Sequence, residues 1–464
     1  MTHGAPMRRI LIPLATALLL PSASGAQTIA DRYRATTDRI ISAALSDSSA
    51  YDRLALLSDK FGHRLSGSAS LERALDWIIA EMGRDGLQNV RGEPVMVPRW
   101  VRGSESAALV SPRPMKLHML GLGGSVATPR RGITAPVVVV TSFDDLARKS
   151  AEARGRIVLF DVPFTSYGAT VQYRSRGAVE AAKLGAVAVL IRSVASSSMQ
   201  NPHTGAMRYD STVTQIPAAA LSVEDAAMLH RMYARGERVV VTLKMEAKTH
   251  PDAPSRNVVA EMVGREKPDE IVALGGHIDS WDVGQGAMDD GGGSVAAWEA
   301  VRLLKRLGLQ PRRTIRVVLW TNEENGLRGA TAYRDAHAAE IPKHVMAMES
   351  DGGVFAPQGF SVDGSPEAVT MMGELAPLLS SIGATQMRAG GAGADVGPIT
   401  ALGVPGLGLQ VDGTRYFWYH HSEADTMDKL DPREMAQCVA AMAVMAYVIA
   451  DMPGTLPRRA PASN

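Results

Sequence analysis

Between Leu274 and Ser294 the chain reads LGGHIDSWDVGQGAMDDGGGS, one histidine and four aspartates among seven glycines, just after a short apolar run. Further on stand Asn322-Glu323-Glu324, Glu349-Ser350-Asp351 and His420-His421. Imidazole and carboxylate groups without a thiolate suit zinc or another divalent ion of similar hardness, and several carboxylates can hold two ions when one of them bridges. Taken singly, each group has an ordinary explanation. His277 and Asp279 can be a hydrogen-bonded loop pair, and Asp289-Asp290 with three glycines a solvated turn capping the next helix. Glu323-Glu324 can sit at the positive end of a helix dipole. His420-His421, after Tyr416-Phe417-Trp418-Tyr419, can be a core pair. The metal reading rests on their conjunction, in order and with the ligand chemistry of one site.

Such side chains need elements that end at one place. From Asn257 onward the sequence alternates strand, loop and helix: strands at 271–274, 314–320 and 344–348, helices at 294–307 and 327–337, and a later run from Gly406. This alternation predicts βαβ units around a largely parallel sheet, with ligands gathered beyond the carboxyl ends of the strands. His277 and Asp279 follow the first strand, Glu323 and Glu324 the second, Asp351 the third and His421 the last run. Upstream, 30–45 and 71–82 read as helices and 90–97 as a strand ahead of Pro98. Between them lies a stretch of different character. Short β-branched runs at 137–140, 156–162, 186–191 and 239–245 alternate with helices at 177–185 and 221–233.

The motifs His277-x-Asp279, Gly286-Ala287-x-Asp289-Asp290-Gly291, Asn322-Glu323-Glu324-x-Gly326, Glu349-Ser350-Asp351-Gly352 and His421-Ser422-x-x-Asp425-Thr426 resemble those of the di-zinc exopeptidase family of bacterial aminopeptidases and glutamate carboxypeptidase. One branch of that family is similar also in the Asp279-Ser280-Trp281-Asp282 run, the His420-His421 pair and the middle segment, which resembles a protease-associated domain. The resemblance implies an α/β fold, with a mixed, mostly parallel central sheet flanked by helices and an inserted β-rich domain. The expected division is a signal peptide over 1–26, a discontinuous zinc peptidase domain over 27–115 and 251–454, the inserted domain over 116–250 and a flexible tail over 455–464.

Carried over residue by residue, the resemblance implies two zinc ions, His277 and Asp351 on one, Glu324 and His421 on the other, with Asp289 bridging and Glu323 as general base. The family places the histidine ligand four residues before an Asp-Thr pair, which selects His421 and leaves His420 facing the oxyanion. Many members carry a tyrosine before that ligand, so either Tyr419 or His420 is left to polarise the substrate carbonyl. Asp279 is expected to accept the second ring N–H of His277 and fix its tautomer. Gly275, Gly276, Gly286 and Gly291 to Gly293 are expected to permit positive φ and close backbone approach. The loop Gly390 to Gly397 resembles a family loop near the pocket and offers Asp395 as at most a substrate contact. The implied reaction is hydrolysis of dipeptides or short peptides by a metal-activated water. Glutamate carboxypeptidase-type activity is the alternative, and a non-catalytic binding protein of the same fold the rival from another class. A serine hydrolase lacks its Gly-x-Ser-x-Gly anchor here, and there is no His-Glu-x-x-His helix or phosphate loop.

Composition fits this frame. At 464 residues the chain exceeds the ~250–300 at which a single core stops growing. With 49 basic and 48 acidic side chains it shows no bias toward nucleic acid. Arg8-Arg9, an apolar run from Ile10 to Leu20 and small residues ending at Ala26 form the three parts of a secretory signal, with cleavage expected before Gln27. That run is about half the ~20 residues that span a bilayer, and no later stretch is expected to replace it. The expectation is therefore an exported protein, periplasmic or extracellular, with no membrane partner after signal removal, a short peptide as substrate and a homodimer left open. The single cysteine, Cys438, excludes an intrachain disulfide and is expected to pack in the last helix.

Overall fold

Strand Arg313–Trp320, RTIRVVLW, is buried at every position, as is His344–Glu349. Near-continuous apolar runs of this kind belong to central strands covered on both faces. In this computed structural model, which describes residues 1–4 and 28–459, they lie inside an eight-stranded sheet. Its order is Gln88–Val101, Lys248–Met262, Arg313–Trp320, Lys267–His277, His344–Glu349, Gly406–Val411, Pro357–Asp363, Gln386–Ala389. The four central strands run parallel, whereas both pairings at the Gln88–Val101 end and the pairing of Gly406–Val411 with Pro357–Asp363 are antiparallel. The expected signal segment, beyond its first four residues, lies outside the described residues, as does the tail from 460.

After Lys267–His277 the chain forms helix Gly292–Arg306 and returns as Arg313–Trp320 on one side. It then forms helix Arg328–Ala336 and returns as His344–Glu349 on the other. The loops leaving Lys267–His277 and its two neighbours therefore diverge, which opens a crevice at the carboxyl end of that strand. Helices Ile29–Leu45, Ser49–Phe61, Gly292–Arg306 and Pro432–Asp451 cover one face in the largest apolar cluster. Helix Pro432–Asp451 corrects one expectation, because it is long and apolar enough to cross a membrane. Here 83% of its apolar window is buried in protein, and Cys438 packs within it as expected.

The strand expected to stop before Pro98 runs through it as Gln88–Val101. It is an edge strand with a register shift between Val97 and Arg99, where a residue without an N–H is tolerated. Its last residue, Val101, pairs with Lys248, so the chain leaves and re-enters the central sheet at adjacent points. Everything between builds a second eight-stranded sheet, from Glu105–Ser111 to Val240–Met245, with an apolar cluster on each face. The expected boundary at 116 is therefore too late, since strands Glu105–Ser111 and Met115–Leu117 already belong to this sheet. Helix Tyr167–Lys183 begins ten residues before the expected 177, capped by Ser166, whose hydroxyl accepts from the N–H of Ala169.

Candidate metal centre and active site

Strand Lys267–His277 ends by projecting His277 into the crevice, 1% exposed. Its Nε2 lies 3.3 Å from Asp289 Oδ1 and 3.3 Å from Asp351 Oδ1. On the other side, His421 Nε2 lies 3.0 Å from Glu324 Oε2 and 3.3 Å from Asp289 Oδ2. Asp289 thus turns one carboxylate oxygen toward each histidine. Every expected ligand converges, and Asp289 occupies the shared position. His420 stacks on His421 at 3.5 Å between ring centroids, with its Nε2 3.6 Å from Asp289. His421 is the nearer to both acids and adopts φ +59°, a left-handed conformation rare for a residue with a Cβ.

The two adjacent aspartates do different work. Asp290 spends Oδ2 on the N–H of His277 and Oδ1 on the N–H of Gly293, so it caps helix Gly292–Arg306 and ties the loop to the strand. Asp425 accepts from the N–H groups of Met288 at 2.7 Å and Asp289 at 3.2 Å, fixing the backbone beneath the shared carboxylate. Of the glycines expected at positive φ, only Gly286 has it. Gly276 and Gly293 serve otherwise, for a Cβ on either would collide with the Asp290 carboxylate.

Three expectations are corrected by geometry. His277 Nδ1 hydrogen-bonds the backbone carbonyl of Asp279 at 2.9 Å, not its carboxylate, which is 3.9 Å away. The Asp279 carboxylate instead accepts from the N–H of Glu323 at 3.1 Å and the Ser66 hydroxyl at 3.1 Å, so it sets the loop that carries the two glutamates. Asp395 is 2% exposed beside Glu349 and does not line the cleft. Tyr419 is not among the lining residues either. From the histidine loop the tyrosine that reaches the cleft is Tyr416, one turn before His420, whose N–H donates to the Tyr416 carbonyl, and Tyr167 of the second sheet lines it as well.

The hollow at this point holds about 390 Å³ and is lined by Asp289, Glu323, Glu324, Asp351, Tyr416 and His420, among others. Burial, with Asp351 and Glu324, pushes the Glu323 carboxyl well above its usual range against the pull of His277. Burial likewise pushes Glu324 up to about 7. Burial disfavours charge on His277 and His421, yet their acidic neighbours outweigh it: His277 is held well above its ordinary value and His421 at about 10. The acids thus draw positive charge onto the two ring nitrogens that face them. Asp289 Oδ2 and Glu324 Oε1 have no hydrogen-bond donor although both are buried. Buried carboxylate oxygens without donors, opposed by imidazoles in a thiol-free set, fit divalent cations such as zinc.

Sequence reasoning missed two arginines. Arg64, fully buried beneath the site, donates to the carbonyls of Gly62, Ile278, Gln285 and Gly286 and so holds the glycine-rich loop from below. Arg174 reaches the cleft from the second sheet's helix Tyr167–Lys183. That layer is stitched to the histidine loop: Thr204 N–H donates to the His421 carbonyl at 2.8 Å, and His203 Nδ1 lies 2.6 Å from the His420 carbonyl. From the other side, Asp282 pairs with Arg102.

A mixed α/β sheet whose strand-end loops gather two histidine–carboxylate groups around one shared aspartate defines the metallo-exopeptidase class. Residues 257–446 match peptidase family M28. Carboxypeptidase Q of Mus musculus is 50% identical over 408 residues, covering 88% of this chain and 87% of its own length. The fold is similar to a peptidase M28 precursor from Shewanella amazonensis SB2B, with TM-score 0.90, 38% identity, and 93% and 99% of the two chains covered. A zinc aminopeptidase from Bacillus subtilis shares the fold at TM-score 0.66 and 22% identity, over 88% and 96% of the chains. The chain belongs to peptidase family M28 and is a metallo-exopeptidase.

Proposed function

We propose that this chain hydrolyses dipeptides or short peptides at a two-zinc site, with Glu323 as the general base. The observation that carries the reading is the position of Asp289, one carboxylate oxygen facing His277 and the other His421. His277 and Asp351 would hold one ion, Glu324 and His421 the other, and Asp289 both. When bound, the pair would supply Lewis acidity and lower the pKa of a water toward neutrality. Glu323 lines the same cleft and, among the described residues, forms no ion pair. A carboxylate that lines the cleft without holding metal is suited to take the water's proton and hand it to the leaving amine, a role commonly contributing about 10²–10⁴ in rate. Asp279 sets its position through the Glu323 N–H. The Tyr416 phenol, kept protonated by burial and by Asp289 and Asp351, is the donor suited to the developing oxyanion, with His420 beside it.

The second sheet, which supplies part of the cleft wall, serves in this reading as a protease-associated domain that limits substrate length. The pattern of residues 1–26 supports export. The experiment is an assay of the purified protein, zinc-loaded and chelated, on dipeptides and on peptides blocked at either end. Activity should vanish on chelation and return with zinc; full turnover after complete metal removal would reject the mechanism.

A further inference from the structure

The two histidines that face Asp289 are held in different ways. His277 is the last residue of a central strand, paired in register with Trp320, and its N–H is bonded by Asp290. Its backbone is therefore fixed by the central sheet and the loop that follows. His421 ends no strand. It comes just after the four-residue helix Tyr416–Tyr419 and adopts φ +59°, a conformation that a residue with a Cβ keeps only where its surroundings impose it.

What imposes it lies in the second sheet. Residues Asn201 to Thr204, between strands Ala188–Arg192 and Ala218–Leu221, bind three successive residues of the histidine loop. His203 Nδ1 bonds the His420 carbonyl at 2.6 Å, across 217 positions of chain, and the Thr204 N–H donates to the His421 carbonyl at 2.8 Å. Asn201 Nδ2 donates to the Ser422 hydroxyl at 2.7 Å, and His203 pairs with Ser422 as an antiparallel bridge. The peptide planes on either side of the His421 Cα are thus each tied to the second sheet, and the orientation of those two planes is what φ and ψ describe. The tether is itself firmly seated. The His203 N–H donates to the Ser193 hydroxyl at 2.9 Å, that hydroxyl donates to the Leu221 carbonyl at 2.6 Å, and the Thr204 hydroxyl donates to the Gly121 carbonyl at 2.7 Å.

His203 is 1% exposed, and its Nε2 has no hydrogen-bond partner. A carbonyl oxygen can only accept, so the ring proton sits on Nδ1. Among the described residues the His420 carbonyl is the one polar partner of that ring. A buried imidazole with an unmatched nitrogen is unfavourable as packing, so its place is explained by the bond it makes. We propose that His203 is a positioning residue of the metal centre: by fixing the peptide between His420 and His421 it aims His421 Nε2 at Glu324 and Asp289. The ion held by Glu324 and His421 then depends on the second sheet, and the ion held by His277 and Asp351 does not. This rests on the two-zinc reading of the same site and adds the element that orients one of its ligands.

The test titrates zinc into the metal-free, full-length enzyme in competition with a chromophoric chelator. Wild type should take two ions per chain. His203→Ala should bind one as tightly as wild type does and the other about 10- to 100-fold more weakly, the usual effect of removing a group that orients a ligand. His203→Asn, whose amide nitrogen can reach the position of Nδ1, should restore most of that loss. Asn201→Ala, which removes only the donor to Ser422, should weaken the same ion less. Two ions bound by His203→Ala as in wild type, or both weakened alike, would overturn the proposal, as would equal losses in the Ala and Asn variants. Hydrogen exchange of the metal-free protein, read by mass spectrometry, separates this outcome from the two-zinc reading. His203→Ala should speed exchange across residues 416–426 and leave 285–291 and 321–327 at the wild-type rate. That result supports the positioning role even where wild type binds fewer than two ions, in which case the two-zinc reading alone fails. Unchanged exchange across 416–426, or a rise in all three loops, rejects it.

Discussion

The protein builds two eight-stranded sheets, and each places acidic residues just past the ends of parallel strands. In the second sheet those acids are matched. Asp161, following Ile157–Phe160, meets Arg192 at 3.3 Å and His230 at 2.7 Å, and Asp145 meets Lys149 and Arg148. In the central sheet Asp279, Asp289, Asp290, Glu324 and Asp425 are all at most 7% exposed. The buried arginine among them, Arg64, spends its donors on backbone carbonyls and neutralises none of them by direct contact. Acids at strand ends are thus common to both regions. An excess of buried negative charge marks the central one, and that excess is what a pair of divalent cations would balance.

The most damaging way to break this contrast is Asp289→Ala. Both histidine–carboxylate groups lose their common member, so metal content and turnover should fall together. Glu323→Gln should keep the metal and lose about 10²- to 10⁴-fold in kcat, the usual worth of a general base. Elemental analysis beside steady-state kinetics separates the two outcomes. Metal loss in Glu323→Gln would exchange the roles assigned to the two glutamates.

A smaller effect is expected in the pH dependence of the metal-free protein. Burial opposes protonation of His421, but Glu324 and Asp289 hold it at about 10. A folded-state value raised above the ordinary 6.5 contributes stability that is complete below about pH 6.5 and lost as pH rises toward 10. Burial pushes Glu324 and Asp425 up to about 7. Their ionisation opposes folding increasingly from about pH 4 to 7, with the same sign. Burial raises the Asp289 carboxyl, but the facing His277 and His421 outweigh it and hold it well below its ordinary value, so it acts oppositely, though only in strong acid. Chelated protein should therefore melt at steadily lower temperature from about pH 5 to 10, whereas zinc, which binds the deprotonated ligands, should remove the slope. The same slope with zinc bound would reduce the site to an ion-pair network like that around Asp161.

How far the sequence reveals the site follows from how local its determinants are. His277, Glu323, Glu324 and Asp351 sit a few residues past apolar runs, so strand periodicity alone places them at one sheet edge, and the Asp289-Asp290 spacing does the rest. Arg64 and Arg174 carry no such pattern. Their partners Gly286 and His421 are 222 and 247 positions away, and nothing in the sequence signals either pairing. The role of Asp279 was misread because two backbone groups, its own carbonyl and the Glu323 N–H, decide it. Tyr416 was passed over for Tyr419 because the short helix Tyr416–Tyr419 turns the first of its tyrosines, not the last, toward the cleft. Helix Ser49–Phe61 carries little periodic signal, because its apolar stripe of Leu54 and Leu57 is narrow.

The gentlest probe lies in the second sheet. Asp161→Asn keeps the shape of the side chain while removing the charge that holds Arg192 and His230. Because Asp161 is 5% exposed while Arg192 and His230 reach solvent, the change should lower unfolding stability by about 1 kcal/mol, the usual worth of one such hydrogen bond. Denaturant titration would measure it, with kcat and metal content as controls. Both controls should stay at the wild-type level, since Asp161 touches neither the cleft nor the His420-His421 loop. A fall in kcat without a fall in stability would show that matched charge in this sheet also serves the reaction, and that charge balance fails to separate scaffold from site.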